Sequence, residues 1–418
     1  MSSLSLSKYF MGVAAKHLSA VEVDPRRSRQ HEFNGVQDLK EILGTDRREF
    51  AARFIFLGEN EEQTLTDDDT LTWYDSREKQ EHRSAEYRLY YKGNAVLEQA
   101  AEGDLLVIGK REGDNLLVII AKAKSTAESQ VLWLCGVDDP SGNLFKVKDL
   151  SGGGDERQGY AAKSILDQLG VEVEETPARE DEVFLQDMNK IFDRAKLMQG
   201  KYPLTKIFSG YARDTLPSVS PLDDPDAALM CYMEREERLF RILEKQFVMD
   251  KLRKGFDEDV DVFVDFALST LNRRKSRVGY AFENHVEWIF QKLSLRYSRN
   301  PKTEKNVRPD FIFPSIDDYR NAAFPESRLS MLGVKFSCKD RWRQITTEAD
   351  RIEQKHLATM ESAISEAQTD EMKGLKVMLV LPAGLHDTYK PTQKDRLIGV
   401  RNFIELARSR ELGVSPAV

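Results

Sequence analysis

The sequence predicts two domains, a mainly β N-terminal domain built as a small barrel or sandwich and a C-terminal α/β sandwich. Three observations predict this division. The chain of 418 residues is too long for one ordinary core. Short apolar runs recur between polar turns in about the first 135 residues, whereas amphipathic helical patterns dominate from Ala227 onward. We place the boundary near residue 178, so that the domains span 1–177 and 178–418.

The N-terminal domain is predicted to consist mainly of strands. Its apolar runs are Phe54–Leu57, Leu71–Tyr74, Tyr87–Tyr91, Leu105–Ile108, Leu116–Ile120 and Val131–Val137. One helix is predicted at Val36–Leu43, because Gly44 is a typical helix end. The glycine-rich Ser151–Gly159 and the acidic Glu172–Val183 predict a flexible linker at the end of this domain.

The C-terminal domain alternates helices and strands. Met233–Leu252 and Val278–Leu293 have the apolar spacing of helices. The remaining predicted elements are strands at Phe311–Phe313, Met331–Cys338 and Lys376–Leu381, and a helix from about Gln344 to Ala367. The resulting order of helix, strand, strand, helix, strand and helix indicates an α/β sandwich.

Composition indicates a soluble protein of a reducing compartment. Hydrophobic residues make up 40% and charged residues 32% of the chain, which is typical of globular proteins. No apolar run is long enough to span a bilayer, and the N-terminus lacks the pattern of a secretory signal. Three separated cysteines without a CxxC or HxxxH pair predict reduced thiols in the cytoplasm and argue against a structural zinc site.

The charge distribution allows nucleic-acid binding, although the net charge of -8 does not by itself predict it. Basic clusters are separated from the acidic runs and lie at Arg26–Arg29, Asn272–Arg277, Arg299–Arg308 and Lys339–Arg343. Any one cluster alone is better explained as a solvated helix face. Together they allow an acidic protein to present local basic surfaces to phosphates.

Asp310, Lys335 and Glu348 form a candidate catalytic set. Strand alternation places Lys335 on the polar face of its strand, and helical spacing turns Glu348 toward the sheet. A turn-capping aspartate and a solvated edge-strand lysine are the ordinary alternatives. Asp310 and Glu348 could hold Mg²⁺ by their oxygens, and the lysine could orient an attacking water. Glu283 is a further acidic candidate, or equally a member of a partly buried salt bridge.

The basic segment after Lys335 has the residue types that read DNA bases. Lys339 and Arg341 can donate to guanine, and Asp340 can accept from cytosine. Arg343 extends the same basic segment. A salt-bridged turn is the alternative explanation of these charges.

The segments NRRKSR, RPDFIFPS and VKFSCKDRWRQI resemble the catalytic domain of EcoRII-type restriction endonucleases over roughly Met233 to Ala407. The resemblance implies a PD-(D/E)XK fold that cleaves double-stranded DNA with Mg²⁺. The family's catalytic residues fall on Asp310, Lys335, Glu348 and Glu283, and its base-reading motif falls on Lys339, Asp340 and Arg341. The implied target has outer CC and GG dinucleotides, such as CC(A/T)GG, with central bases flipped out of the duplex.

The N-terminal half resembles the effector domain of the same family, a B3-like pseudobarrel. The supporting segments are SRQHEFNG at Ser28–Gly35 and TWYDSREKQEHRSAEYR at Thr72–Arg88. In such domains two arms enter the major groove, which would place on them the residues Arg29, Gln30, His31, Ser76, Arg77 and Arg83. A basic loop and a hairpin without a DNA role remain the alternative.

The resemblance implies a type II restriction endonuclease that dimerises through its C-terminal domain. Its N-terminal domain would bind a second site and regulate cleavage, and a cognate DNA methyltransferase would protect host DNA. Two other functions fit the residues: a non-catalytic sequence-specific DNA-binding protein with a degenerate nuclease fold, and a repair nuclease without a fixed recognition sequence.

Overall fold

The computed structural model describes residues 3–23, 31–34, 36–59, 63–80, 82–140, 144–173, 178–338 and 342–414. The chain divides into two compact units. The first comprises residues 1–173 with 362–372 and 387–394, and the second comprises 174–361, 373–386 and 395–418. Within the described ranges, each helix is too short or too polar to cross a lipid bilayer.

The first unit is organised around an eight-stranded sheet. The described strands of this unit are β1 (Ser3–Ser5), β2 (Gly12–His17), β3 (Glu32–Phe33), β4 (Arg48–Leu57), β5 (Leu65–Asp75), β6 (Tyr87–Tyr91), β7 (Leu105–Lys110), β8 (Asn115–Ala121), β9 (Lys146–Asp149) and β10 (Glu156–Gln158). β1 and β10 pair with each other, and the other strands form the eight-stranded sheet. The sheet order is β3-β6-β5-β4-β8-β7-β2-β9. Only β4 and β8 pair in parallel among its described strands. The short helices are α1 (Ala20–Val23), α2 (Lys40–Leu43), α3 (Ala95–Gln99), α4 (Thr126–Cys135) and α5 (Gly159–Gln168).

Both faces of this sheet are covered. Leu117 and Ile119 of β8 belong to one buried cluster, whereas Leu116, Val118 and Ile120 belong to another. Because successive side chains of a strand point to opposite faces, a strand that is apolar at every position requires two cores. The mainly β character predicted for this part of the chain is confirmed.

One predicted strand of this unit is wrong. Five of the six apolar runs lie in strands, but Val131–Val137 overlaps α4 instead. The side chain of Ser125 accepts a hydrogen bond from the backbone N–H of Glu128 and caps this helix, and Gly136, with φ 60°, ends it. The buried Val131, Leu134 and Cys135 have the helical spacing of three and four residues.

The glycine-rich segment is more ordered than predicted. Within Ser151–Gly159, Glu156–Gln158 forms β10 and pairs antiparallel with β1. Asp155 bonds to Lys148 at 2.8 Å and to Arg157 at 3.2 Å, which fixes the chain before this strand. The second half of this segment is therefore part of a strand pair, whereas the sequence predicted irregular structure there.

Five helices, of which the last two are the longest, open the second unit. They are α6 (Ala178–Ile191), α7 (Arg194–Met198), α8 (Thr205–Asp214), α9 (Pro225–Lys254) and α10 (Val260–Lys292). The two predicted helices are confirmed as the later parts of α9 and α10. Asp224 caps α9 by accepting from two backbone N–H groups, with Pro225 in the first turn, and Gly255 ends it with φ 78°.

A mixed sheet completes the second unit. Its strands follow chain order and are β11 (Ser298–Arg299), β12 (Phe311–Phe313), β13 (Ser330–Val334), β14 (Lys355–Ala358), β15 (Val377–Val380) and β16 (Leu397–Ile398). Pairing is antiparallel from β11 to β13 and parallel from β13 to β16. The helices between and after them are α11 (Ile316–Arg320), α12 (Glu366–Gly374) and α13 (Val400–Leu412). The predicted α/β class is confirmed.

The helix predicted from about Gln344 to Ala367 is wrong. The chain forms a 3-10 helix at Trp342–Thr347 and then the central strand β14, while α12 begins only at Glu366. Ala349 has φ 50°, which ends the helical run. Parallel partners on both sides satisfy the backbone of β14 and bury it.

A buried histidine of β14 makes stability depend on pH. His356 is fully buried, with its ring 5.2 Å from that of Phe403. Burial lowers its pKa to about 3. His356 therefore binds a proton below about pH 6.5 in the unfolded chain but only below about pH 3 in the folded chain. Between these pH values the free energy of unfolding decreases as pH falls.

We expect His356→Leu to remove this dependence. The unfolding free energy of the wild type should drop between about pH 7.5 and pH 5 by about 2 kcal/mol more than that of the variant. Urea unfolding at both pH values measures the difference, and replacement of the exposed His82 with Asn serves as the control. Equal pH dependence in wild type and His356→Leu would contradict the assignment.

Candidate active site

Asp310 and Lys335 meet where β12 and β13 pair. Asp310 lies immediately before β12, and its Oδ2 accepts from the backbone N–H of Val334 at 2.6 Å and from Lys335 Nζ at 3.0 Å. The antiparallel register sets Phe311 opposite Leu332 and thus brings the two chain positions together. Their side chains keep 15% and 25% of their surface exposed, so a ligand can reach both.

Lys335 reaches this position by a different route from the predicted one. The strand ends at Val334 rather than at Cys338, and all residues of β13 are buried, so the strand has no polar, solvent-exposed face. Lys335 therefore extends from the end of the strand instead of projecting from a polar strand face. Its backbone N–H still donates to the carbonyl of Ala358 at 2.9 Å.

Glu348 is a buried carboxylate beside this pair. It follows the 3-10 helix and is 8% exposed, so the expected burial is observed although the expected helix is not. Within the described part of the chain, its Oε2 has no hydrogen-bond partner. Burial and then the charge of Asp310 raise the pKa of Glu348 to about 7, while Lys335 and Lys355 act in the opposite direction.

Lys355 holds the segment that carries Glu348. Its Nζ donates to the carbonyls of Glu348 at 2.5 Å and Ala349 at 2.7 Å, and the side chain is buried. Lys355 is not among the site residues predicted from the sequence. A lysine inside the short apolar run KHLA was the available signal, because a buried lysine needs fixed acceptors.

Glu283 joins the site from α10 and also forms the alternative salt bridge. Its Oε2 lies 3.1 Å from Arg299, which also pairs with Glu287. Burial and then Asp310 raise the pKa of Glu283, whereas Arg299 and Lys335 lower it. Glu283 is thus within electrostatic range of Asp310 and is partly neutralised by Arg299.

The carboxylates fit a divalent cation. No group of three or more metal-ligating side chains is found within the described ranges, but Asp310 and Glu348 repel each other electrostatically and Glu348 has an unsatisfied buried oxygen. A buried carboxylate oxygen without a donor is costly. A hard cation with oxygen preference such as Mg²⁺ would satisfy it and relieve the repulsion.

Three predicted base-reading residues, Lys339, Asp340 and Arg341, lie outside the described residues. Arg343 is described and is exposed in the 3-10 helix, with its guanidinium 4.9 Å from the ring centre of the fully buried Trp342. The chain that follows the predicted base-reading residues therefore begins at a buried residue, Trp342.

The predicted N-terminal arms are partly described. Arg29 and Gln30 lie outside the described residues, whereas the exposed His31 precedes β3, and its carbonyl accepts from Tyr91 N–H at 2.9 Å. The other arm follows β5: the Ser76 hydroxyl donates to the Glu86 carbonyl at 3.0 Å, and Arg77 pairs with Glu86. The final residue of that arm, Arg83, is exposed. Of the described residues of the two predicted arms, His31 thus lies near the Tyr91 end of β6, and Ser76 and Arg77 lie near its Tyr87 end.

Comparisons with known proteins agree with the sequence resemblance. Residues 240–404 match the family model described as EcoRII C terminal. The resemblance to EcoRII-type endonucleases is confirmed over that segment. The type II restriction enzyme EcoRII of Escherichia coli is 43% identical over 182 residues, which are 43% of this chain and 45% of that enzyme. The match thus spans less than half of the relative's length.

Two solved structures are also similar to this chain. Metal-depleted Ecl18kI in complex with uncleaved, modified DNA shares 16% identity with a TM-score of 0.44, covering 57% of this chain and 86% of that one. The restriction endonuclease PspGI–substrate DNA complex shares 17% identity with a TM-score of 0.43, covering 50% of this chain and 94% of that one.

Proposed function

We propose that this chain is a type II restriction endonuclease that hydrolyses phosphodiester bonds of double-stranded DNA at a short specific site. The observation that carries the proposal is the contact of Lys335 with Asp310, next to the buried and unsatisfied carboxylate of Glu348. The EcoRII-type match includes all three residues. An aspartate and a glutamate can supply oxygen ligands for a metal ion that assists phosphodiester hydrolysis, and a lysine can balance the charge of the phosphate.

Asp310 and Glu348 would hold Mg²⁺. When bound, the ion would stabilise the charge that develops on the scissile phosphate and lower the pKa of an attacking water. Asp310 has a second role, because its Oδ2, which contacts Lys335, also accepts from the backbone N–H of Val334 and thereby fixes the end of β13. Glu283, held by Arg299, adds negative charge to the site and is the further acidic residue of the proposal.

Lys335 would act on the substrate. Its ammonium group donates to Asp310 at 3.0 Å and has two further donors for a water or a phosphate oxygen. A cation at this position balances negative charge when the substrate phosphate enters a site that already holds carboxylates. The position just beyond a buried strand limits the motion of the lysine backbone.

Sequence reading would come from Lys339, Asp340 and Arg341, with Arg343 as a neighbouring contact, at a site of the CC(A/T)GG type. A DNA site with two-fold symmetry is matched by a homodimer, and we propose that the two chains associate through their C-terminal domains. The domain division at 177/178 and a B3-like N-terminal domain that binds a second site and regulates cleavage are parts of the same proposal. Cellular use would require a methyltransferase that protects host DNA.

Plasmid digestion tests this proposal. A plasmid with several CC(A/T)GG sites should be cut into discrete fragments with Mg²⁺ and stay intact with EDTA. Two control plasmids of equal length show whether CC(A/T)GG is the sequence that is read. One contains no such site, the other contains a different short site, and both should stay intact. A smear of fragments would favour a general nuclease. Sequence-specific binding without any cleavage would favour a DNA-binding protein with a degenerate nuclease fold.

A further inference from the structure

Residues 335–338, which follow β13, are hydrogen-bonded to residues 358–361 at the end of β14 and just after it. Lys335 N–H donates to the Ala358 carbonyl at 2.9 Å, and Met360 N–H donates to the Phe336 carbonyl at 3.4 Å. The hydroxyl of Thr359 adds a contact to the same Phe336 carbonyl at 3.1 Å. Residues 335 and 336 are therefore positioned by the neighbouring segment after the regular strands have ended.

The carboxylate of Glu361 extends this binding to Ser337 and Cys338. Its Oε2 accepts from the backbone N–H of Cys338 and from the hydroxyl of Ser337 at 3.2 Å. Thr359 fixes Glu361 in turn, because its hydroxyl accepts from Glu361 N–H at 3.1 Å. Glu361 is only 8% exposed. Placing a carboxylate there is costly unless donors meet it, so these contacts are essential to the local structure.

Glu361 thus contacts the chain between the proposed catalytic lysine and the proposed base-reading residues. Lys335 of the catalytic set begins the bound segment, and Cys338, which Glu361 holds, immediately precedes Lys339–Arg341. Cys338 itself is fully buried and offers no side chain to DNA. The described residue that directly precedes the predicted base-reading residues is therefore held by a hydrogen bond to a side chain from the segment that follows β14.

We propose that Glu361 is a positioning residue that sets the base-reading segment relative to Lys335 and so contributes to sequence specificity. This inference rests on the proposed function. Glu361 would act through the backbone of Cys338 and not by touching DNA. Its loss should allow the 339–341 segment to shift on the duplex, so that correct and incorrect sites are distinguished less well.

Amide hydrogen exchange tests the anchoring without any need for DNA. In Glu361→Ala, the exchange of peptides that cover 336–338 should become at least about tenfold faster, because a buried hydrogen bond to a charged acceptor is lost. Glu361→Gln retains a carbonyl acceptor and should restore most of the protection. Glu353→Ala is the matched control, since Glu353 is an exposed glutamate of the same unit. Unchanged exchange in Glu361→Ala would overturn the inference.

Cleavage of correct and altered sites tests the positioning role. With the site that the wild type cuts, and copies of it that carry one changed outer base pair, Glu361→Ala should reduce the ratio of the two cleavage rates at least about tenfold. Glu361→Gln should recover most of that ratio. Equal loss on all sites with an unchanged ratio would indicate a merely structural residue and would overturn the proposal.

Two further outcomes are decisive. If circular dichroism shows that Glu361→Ala does not fold, Glu361→Asp replaces it, because the shorter side chain keeps the charge and withdraws the acceptor. If the wild type itself neither cuts nor binds a specific site, the proposed function fails and the positioning role fails with it. The exchange experiment separates the cases, because faster exchange would then leave Glu361 as a structural anchor only.

Discussion

Replacement of Lys335 with alanine should abolish Mg²⁺-dependent cleavage while Ca²⁺-supported DNA binding persists. The ammonium group that contacts Asp310 is lost, so water and phosphate are no longer oriented and the cation beside Asp310 no longer balances the charge of the carboxylates. We expect the single-turnover rate to fall at least about 100-fold. Gel-shift titration in Ca²⁺ should give an affinity close to that of the wild type.

Two variants control for charge and for geometry. Lys373→Ala removes an exposed lysine that pairs with Asp395 and should leave the rate unchanged. Lys335→Arg keeps the charge but presents it on a wider, planar group, so it should recover little activity. Full cleavage by Lys335→Ala would remove Lys335 from the site.

Glu348→Gln should separate stability from catalysis. In EDTA the variant should be more stable than the wild type by about 1–3 kcal/mol, because the buried, unsatisfied oxygen no longer carries charge near Asp310. Its Mg²⁺-dependent cleavage should be lost. Thermal unfolding and a cleavage assay on the same preparation measure both effects.

The metal dependence of stability gives the sharper comparison. Mg²⁺ or Ca²⁺ should raise the Tm of the wild type and should have much less effect on Glu348→Gln, because a ligand stabilises the fold that binds it. Glu353→Gln, in an exposed glutamate paired with Lys376, should behave as the wild type in every assay. Equal Tm increases in wild type and Glu348→Gln would mean that Glu348 does not hold the ion.

Local sequence patterns predicted the five central strands of the first sheet and the two longest helices of the second unit, and the errors elsewhere have identifiable causes. The apolar spacing of α9 and α10 and the short apolar runs in β4 to β8 were sufficient to predict those elements. The Ser125–Glu128 cap signal of α4 was overlooked beside its apolar residues. The central strand β14 could not be distinguished from a helix, because a four-residue strand buried on both sides shows no alternation.

The candidate site was predicted by residue type more than by geometry. Asp310 and Lys335 meet as expected, but Lys335 lies beyond the end of a buried strand, and Glu348 lies beyond a 3-10 helix rather than within a longer helix. Glu361 and Lys355 could not be found from local patterns. Glu361 accepts from a backbone N–H 23 residues away, and this partnership is set by the pairing of β13 with β14.

Sequencing of DNA ends tests the central claim most directly. Genomic DNA free of site-specific methylation is digested with the purified protein and Mg²⁺, and every newly formed end is sequenced, in parallel with Lys335→Ala and with EDTA. We expect ends at a fixed position within one recurring short symmetric sequence, and none from either control. Ends scattered over unrelated sequences, or equal numbers of ends with Lys335→Ala, would contradict a site-specific nuclease built on Asp310, Lys335 and Glu348.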